Sequence, residues 1–247
     1  MHKMKVGFAQ LAVYTIVIML AGMALGRITL TAEKPAFQPG RTVSVEESNV
    51  VTFLPAVDEN GEGVLGVLET TVKPGSGLVL VNVNNLLAQF DTQLSGRTAA
   101  QAAAKYAGID LSKYDIIYNI RVNATVIEGP SAGAALAVSI IAALENKTLD
   151  SETMITGTIS SDGTIGRVGA IAQKAAIAKE EGAKKFLVPE GQATDKQTKR
   201  ERLCSNIGSV QYCEIKYVPK TLNIGESIGI EVIQVSNVQE ALKHFIE

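Results

Sequence analysis

The sequence predicts an α+β domain preceded by a single N-terminal transmembrane helix, and three observations predict it. Apolar segments after residue 50 switch between strand-like and helix-like periodicity in a mixed order. A run of about 21 residues without a charge, Val6 to Gly26, comes before them. Composition is globular rather than disordered, at 46% hydrophobic and 19% charged.

Val6 to Gly26, VGFAQLAVYTIVIMLAGMALG, matches the ~20 residues that cross a bilayer as a helix. Lys3 and Lys5 precede it, whereas Arg27 is soon offset by Glu33, so the excess of positive charge places the N-terminus in the cytoplasm and the remainder outside. A cleaved signal peptide is the rival reading, with small residues around Gly22-Met23-Ala24. The length of the run favours an uncleaved anchor. This defines residues 1–27 as cytoplasmic tip and anchor. Residues 28–49, with Pro35, Pro39 and Gly40 and no period, have linker composition. The folded domain is expected over 50–247.

Within it the patterns predict strands at Val50–Val57, Gly63–Val72 and Gly77–Val83, then a helix from Gly96 to Tyr106 and a strand at Asp115–Val122. A helix at Ala132–Leu144, a strand at Met154–Ile159, a helix at Gly169–Glu181 and a strand at Lys185–Val188 follow. Glu231–Val235 reads as a strand and Val238–Ile246 as a helix. The cationic stretch Lys196 to Arg202 reads as a solvated helix face.

A net charge of −2, with no basic stripe interleaved with aromatics, argues against a nucleic-acid partner. The two histidines, His2 and His244, lie near the termini, and the two cysteines show no CxxC spacing. Metal sites and other cofactors are therefore not expected. Cys204 and Cys213 instead lie equidistant from Gly208-Ser209, a dipeptide suited to a two-residue hairpin turn. Counting outward pairs Ile207 with Val210 and Cys204 with Cys213. That last pair is non-hydrogen-bonded, with a Cα separation of ~4.5 Å that a disulfide tolerates. An oxidising outer compartment would let it form, and two small buried apolar side chains are the alternative reading of the pair.

Glu128-Gly129-Pro130-Ser131-Ala132-Gly133 opens a helix that is apolar almost all round. Free backbone N–H groups and the positive end of the helix dipole converge at such a start. A serine there can attack a carbonyl while the amides of Ser131 and Ala132 hold the oxyanion. It can also simply cap the helix behind Pro130. Gly129-x-Ser131-x-Gly133 satisfies the nucleophile-elbow pattern too, with His244 as the base, although a helix-face histidine near the terminus suits solvent better. Phosphate binding at this helix start is a third reading, without the Gly-Lys-Ser/Thr run that would strengthen it.

On a helical wheel Ala170, Ile171, Ala175, Ile177 and Ala178 form one arc with Lys174 near its middle. A lysine so placed either snorkels to water or is buried with a lowered pKa. Buried beside Ser131, it would be the neutral amine that a general base must be.

Taken together, GPSAG, Thr156-Gly157-Thr158-Ile159, Gly163-Thr164-Ile165-Gly166-Arg167-Val168-Gly169, Gln173-Lys174 and Phe186-Leu187-Val188-Pro189-Glu190 resemble the proteolytic domain of the Lon protease family in order and spacing. The resemblance spans roughly Val50 to Glu247. It implies a Lon proteolytic-domain fold, related to one found in a ribosomal protein and in kinases of the galactokinase type. It further implies Ser131 as nucleophile, Lys174 as base, Thr156 as a hydrogen-bonding support near the lysine, and Glu128 where many members carry Asp. No Walker A sequence occurs, so an ATP-independent, membrane-tethered serine endopeptidase is expected. Its partners would be peptide or unfolded-protein substrates and, as in the family, further copies of itself. A non-catalytic membrane-tethered binding module of the same fold is the contrasting expectation.

Overall fold

The computed structural model describes residues 46–83, 90–123 and 129–246. The uncharged run Val6 to Gly26, almost all of the linker and Glu128 lie outside these residues. Among the described residues no helix is long and apolar enough to cross a membrane.

Strands β1 (Ser48–Val57), β2 (Gly63–Pro74), β3 (Val79–Val83) and β4 (Tyr114–Val122) form a sheet in the order β1-β2-β4-β3. All its pairs are antiparallel except β3 with β4, which the intervening helix α1 (Phe90–Ala107) connects as a parallel crossover. The start of α1 differs from the expected Gly96, which sits inside the helix instead. A Cβ there would come within 2.7 Å of Val81 Cγ2, so this glycine permits close packing on β3 rather than marking a boundary.

Helix α2 (Gly133–Leu144) is buried at every position. It packs with Ala99, Ala100 and Ala103 of α1 over Leu54, Leu68, Val72, Ile116 and Tyr118 of the sheet. This all-round burial is why its sequence carries no polar stripe. The expected strand Met154–Ile159 is two strands, β5 (Thr153–Ile155) and β6 (Thr158–Ile159), separated by Thr156-Gly157. β6 turns back on β7 (Ile165–Gly166).

Helix α3 (Ile171–Glu180) then leads to β8 (Lys185–Pro189). Strand β11 (Glu231–Val235) and β5 flank β8 in a parallel three-stranded sheet, ordered β11-β8-β5. The apolar arc of α3 meets Met154, Phe186 and Val188 on one side and Phe53 and Leu65 on the other. Short helix α4 (Ile224–Ile228) and terminal helix α5 (Val238–Phe245) complete the domain.

Between β8 and α4 the chain runs out and back as a two-stranded ribbon, β9 (Thr194–Ile207) and β10 (Val210–Asn223). This corrects the reading of Lys196 to Arg202 as a helix face. Both faces of the ribbon are solvated, so apolar alternation, the usual signature of a strand, is missing from this stretch. The turn dipeptide still fixes the register: Val210 lies opposite Ile207 and Cys213 opposite Cys204. Gly208 takes φ +62°, the positive angle a primed hairpin turn requires. Cys204 and Cys213 are joined as a disulfide with Cα atoms 4.0 Å apart.

Candidate active site

The chain enters the site through Gly129, whose φ of 90° and ψ of 165° are open only to glycine. Pro130 follows as the first residue of a single 3₁₀ turn, Pro130–Ala132, that runs into α2. Pro130 has no N–H, so the Ser131 amide is the first donor of the turn. In an i→i+3 turn over these residues the Ala132 N–H is directed back at the Gly129 carbonyl. Of the two amides the sequence suggests for an oxyanion, that of Ser131 is therefore the better placed. No side chain caps either helix start, which removes capping as the reason for a serine here.

The break between β5 and β6 grips this turn. The Gly157 N–H donates to the Ser131 carbonyl at 2.9 Å, and the Gly157 carbonyl accepts from the Ala134 N–H at 3.0 Å. The Thr156 hydroxyl also donates to the Ser131 carbonyl, at 3.4 Å. Glycine is required at 157, where a Cβ would come within 2.6 Å of Ile165 Cγ2. The sequence shows the Thr156-Gly157 pair but gives Gly157 no role; the only signal was a glycine interrupting an apolar strand.

Lys174 reaches the same place from α3. Its backbone N–H donates to the Ala170 carbonyl at 3.1 Å, in the first turn of the helix. Its side chain does not snorkel: the residue is only 3% exposed. The amine Nζ donates to Thr156 Oγ1 at 3.4 Å. Thr156, itself 1% exposed, thus touches both the Lys174 amine and the Ser131 backbone. Burial lowers the Lys174 pKa to about 8, because desolvation disfavours the ammonium. No carboxylate contributes to that shift.

His244 lies elsewhere. Its carbonyl accepts from Thr153 Oγ1 at 3.3 Å, at the far end of β5 from Thr156. Three residues of strand separate the two threonines by about 10 Å. The structure therefore groups Ser131, Thr156 and Lys174 and leaves His244 apart. Among the described residues no group of three or more His, Cys, Asp or Glu could hold a metal ion.

An amine that can be neutral near pH 8, linked through the Thr156 hydroxyl to the backbone of a serine at a helix start, offers two groups that acyl transfer without histidine can use. Comparison with known proteins shows the family of the chain. The profile of the Lon protease (S16) C-terminal proteolytic domain matches residues 27–221. The chain is 28% identical over 183 residues to the Lon protease of Rhizobium meliloti strain 1021, covering 68% of this chain and 22% of that protein. It is 26% identical over 215 residues to the Lon protease of Brucella suis biovar 1 strain 1330, covering 84% and 23%. With the archaeal Lon protease of Methanothermobacter thermautotrophicus strain Delta H it shares 30% identity over 140 residues, covering 57% and 18%. The chain thus spans about a fifth of the length of these relatives.

Proposed function

The chain belongs to the Lon protease family through its proteolytic domain, and on that premise we propose that it hydrolyses peptide bonds with Ser131 as nucleophile and Lys174 as general base. The observation that carries the proposal is a buried lysine with a pKa of about 8, whose amine shares Thr156 with the Ser131 backbone.

The neutral Lys174 amine takes the Ser131 hydroxyl proton as Oγ bonds to the substrate carbonyl carbon. The Ser131 N–H faces the developing oxyanion. The Lys174 ammonium then protonates the departing amine nitrogen as the C–N bond breaks, which leaves an ester on Ser131. Water attacks the ester, Lys174 accepts its proton and returns it to Oγ, and a carboxylate product leaves. Thr156 and Gly157 hold the two partners in register. The fluorophosphonate test is direct: a serine-reactive probe should modify Ser131 alone, and Lys174→Met should slow the labelling by roughly two orders of magnitude or more. Equal labelling of both proteins, or modification of another serine, removes the dyad.

The proposal extends to an ATP-independent enzyme tethered at the outer face of a membrane. The sequence support for the tether is the uncharged stretch after Lys3 and Lys5. Substrates of such an enzyme are flexible peptides, exposed loops and unfolded chains, and its working form is a homo-oligomer. Protease added outside intact cells should cut the linker, residues 28–49. Cleavage only after the membrane is disrupted reverses the topology.

A further inference from the structure

The β9–β10 ribbon plays no part in the dyad, yet it carries five of the ten large hydrophobic side chains exposed among the described residues: Leu203, Tyr212, Ile215, Tyr217 and Val218. It forms a sheet of its own, so among the described residues the outer edge of β9 has no strand beside it. A two-stranded ribbon is marginal by itself in water. The cross-link between Cys204 and Cys213 holds this one in shape.

Charge on the ribbon is sorted by face. Residues directly opposite across the ladder share a face, and the faces alternate along each strand. One face carries Asp195, Lys199, Glu201, Glu214, Lys216 and Lys220, which balance, with Lys199 paired to Glu201 at 3.1 Å and Lys216 to Glu214 at 3.9 Å. The disulfide face carries Lys196, Arg200 and Arg202 and no acid. Among the described residues no ion pair involves these three cations. Tyr217, 69% exposed, lies opposite Arg200, and Ile215 lies opposite Arg202.

We propose that the free edge of β9 receives an extended, acidic segment of an unfolded polypeptide as a third strand, with carboxylates at alternate positions set beside Arg200 and Arg202. The spacing selects this partner. All three cations lie on β9, where Arg200 and Arg202 are two residues apart, about 6.8 Å. Alternate side chains of a paired strand repeat at the same distance and fall directly beside those on the same face of β9. Guanidinium groups bind carboxylates in a two-pronged fork, which a point charge does not. A lipid surface offers negative charge without that register. The inference rests on the peptidase reading for its purpose, since a captured unfolded chain is a substrate, but not for its test.

The test measures binding rather than cleavage. Full-length, oxidised Ser131→Ala protein is titrated into a fluorescently labelled, unstructured peptide with glutamate at alternate positions. A matched peptide with glutamine at those positions is the control, and fluorescence anisotropy is the readout. The glutamate peptide should bind about tenfold more tightly or better. Adding Arg200→Gln and Arg202→Gln should abolish the difference, while Glu201→Gln on the other face should keep it. In the active enzyme the two arginine substitutions should raise KM for an unfolded acidic substrate and leave kcat unchanged. Equal affinity for both peptides overturns the proposal, as does undiminished preference in the double variant. So does arginine-dependent binding to vesicles rich in phosphatidylserine with none to the peptide. None of these outcomes touches the dyad, which the fluorophosphonate labelling tests separately.

Discussion

Ser131→Ala should lower peptide hydrolysis by roughly 10⁴-fold or more while leaving the fold intact. The hydroxyl sits in a half-buried turn held by backbone bonds, from the Gly157 N–H to its carbonyl and from the Gly133 N–H to the Pro130 carbonyl. Alanine keeps all of these. Lys174→Ala should reduce turnover by roughly 10²–10⁴-fold. Lys174→Arg should fail as well, because a guanidinium stays protonated at any usable pH and cannot accept the serine proton. Since serine and lysine act as one unit, the double variant should be no worse than the poorer single one. His244→Ala should keep activity within about twofold, a change typical of a residue outside the reacting group. A folded Lys174→Ala protein that still cleaves at the normal rate would defeat the dyad. Loss of activity on changing His244 would restore the histidine-dependent reading.

The readable parts of this chain are those where one physical requirement dominates. Helix α2 must be buried everywhere, so its uniform apolarity shows both its extent and its place. The turn at Gly208-Ser209 needs positive φ, and that alone sets the register of a 14-residue ladder and brings Cys204 to Cys213. Lys174 centred on an apolar arc shows where the amine points. Whether it is buried depends on what α3 packs against, and Phe53 and Leu65 of that packing lie more than a hundred positions earlier and reach the helix only in the folded state. Gly96 and Gly157 show the opposite limit. Both have the composition of boundaries, but they are glycines because Val81 and Ile165 approach too closely for a side chain. A single sequence gives no sign of such approaches. The ribbon escaped for a third reason: with both faces wet, strand geometry leaves no apolar period in Lys196 to Arg202.

The buried amine should also write the same titration into activity and into stability. Only neutral Lys174 can accept the serine proton, so hydrolysis should rise with pH around a midpoint of about 8, the value that burial imposes. In the unfolded chain the same lysine titrates near ~10.4. Its folded pKa is thus depressed, and the unfolded state binds more protons throughout the interval between the two values. Stability therefore increases with pH there. Below about pH 8 the protein carries the full penalty of a charged, dehydrated lysine, and the penalty is relieved progressively above it. From pH 7 to 9.5 the gain from this one group is about 2 kcal/mol. The upper bound of that window avoids Tyr118, whose buried phenol is pushed well above its usual 10.0, so that stability falls once the same tyrosine ionises in the unfolded chain. Urea unfolding of Ser131→Ala, which cannot digest itself, should show the gain. Lys174→Met in the same background should be more stable at pH 7 and should lose the slope, because the thioether fills a similar volume with no charge to dehydrate. An activity midpoint near 8 together with a flat stability profile would mean that another group governs the rate. A persistent slope in Lys174→Met would assign the buried proton elsewhere.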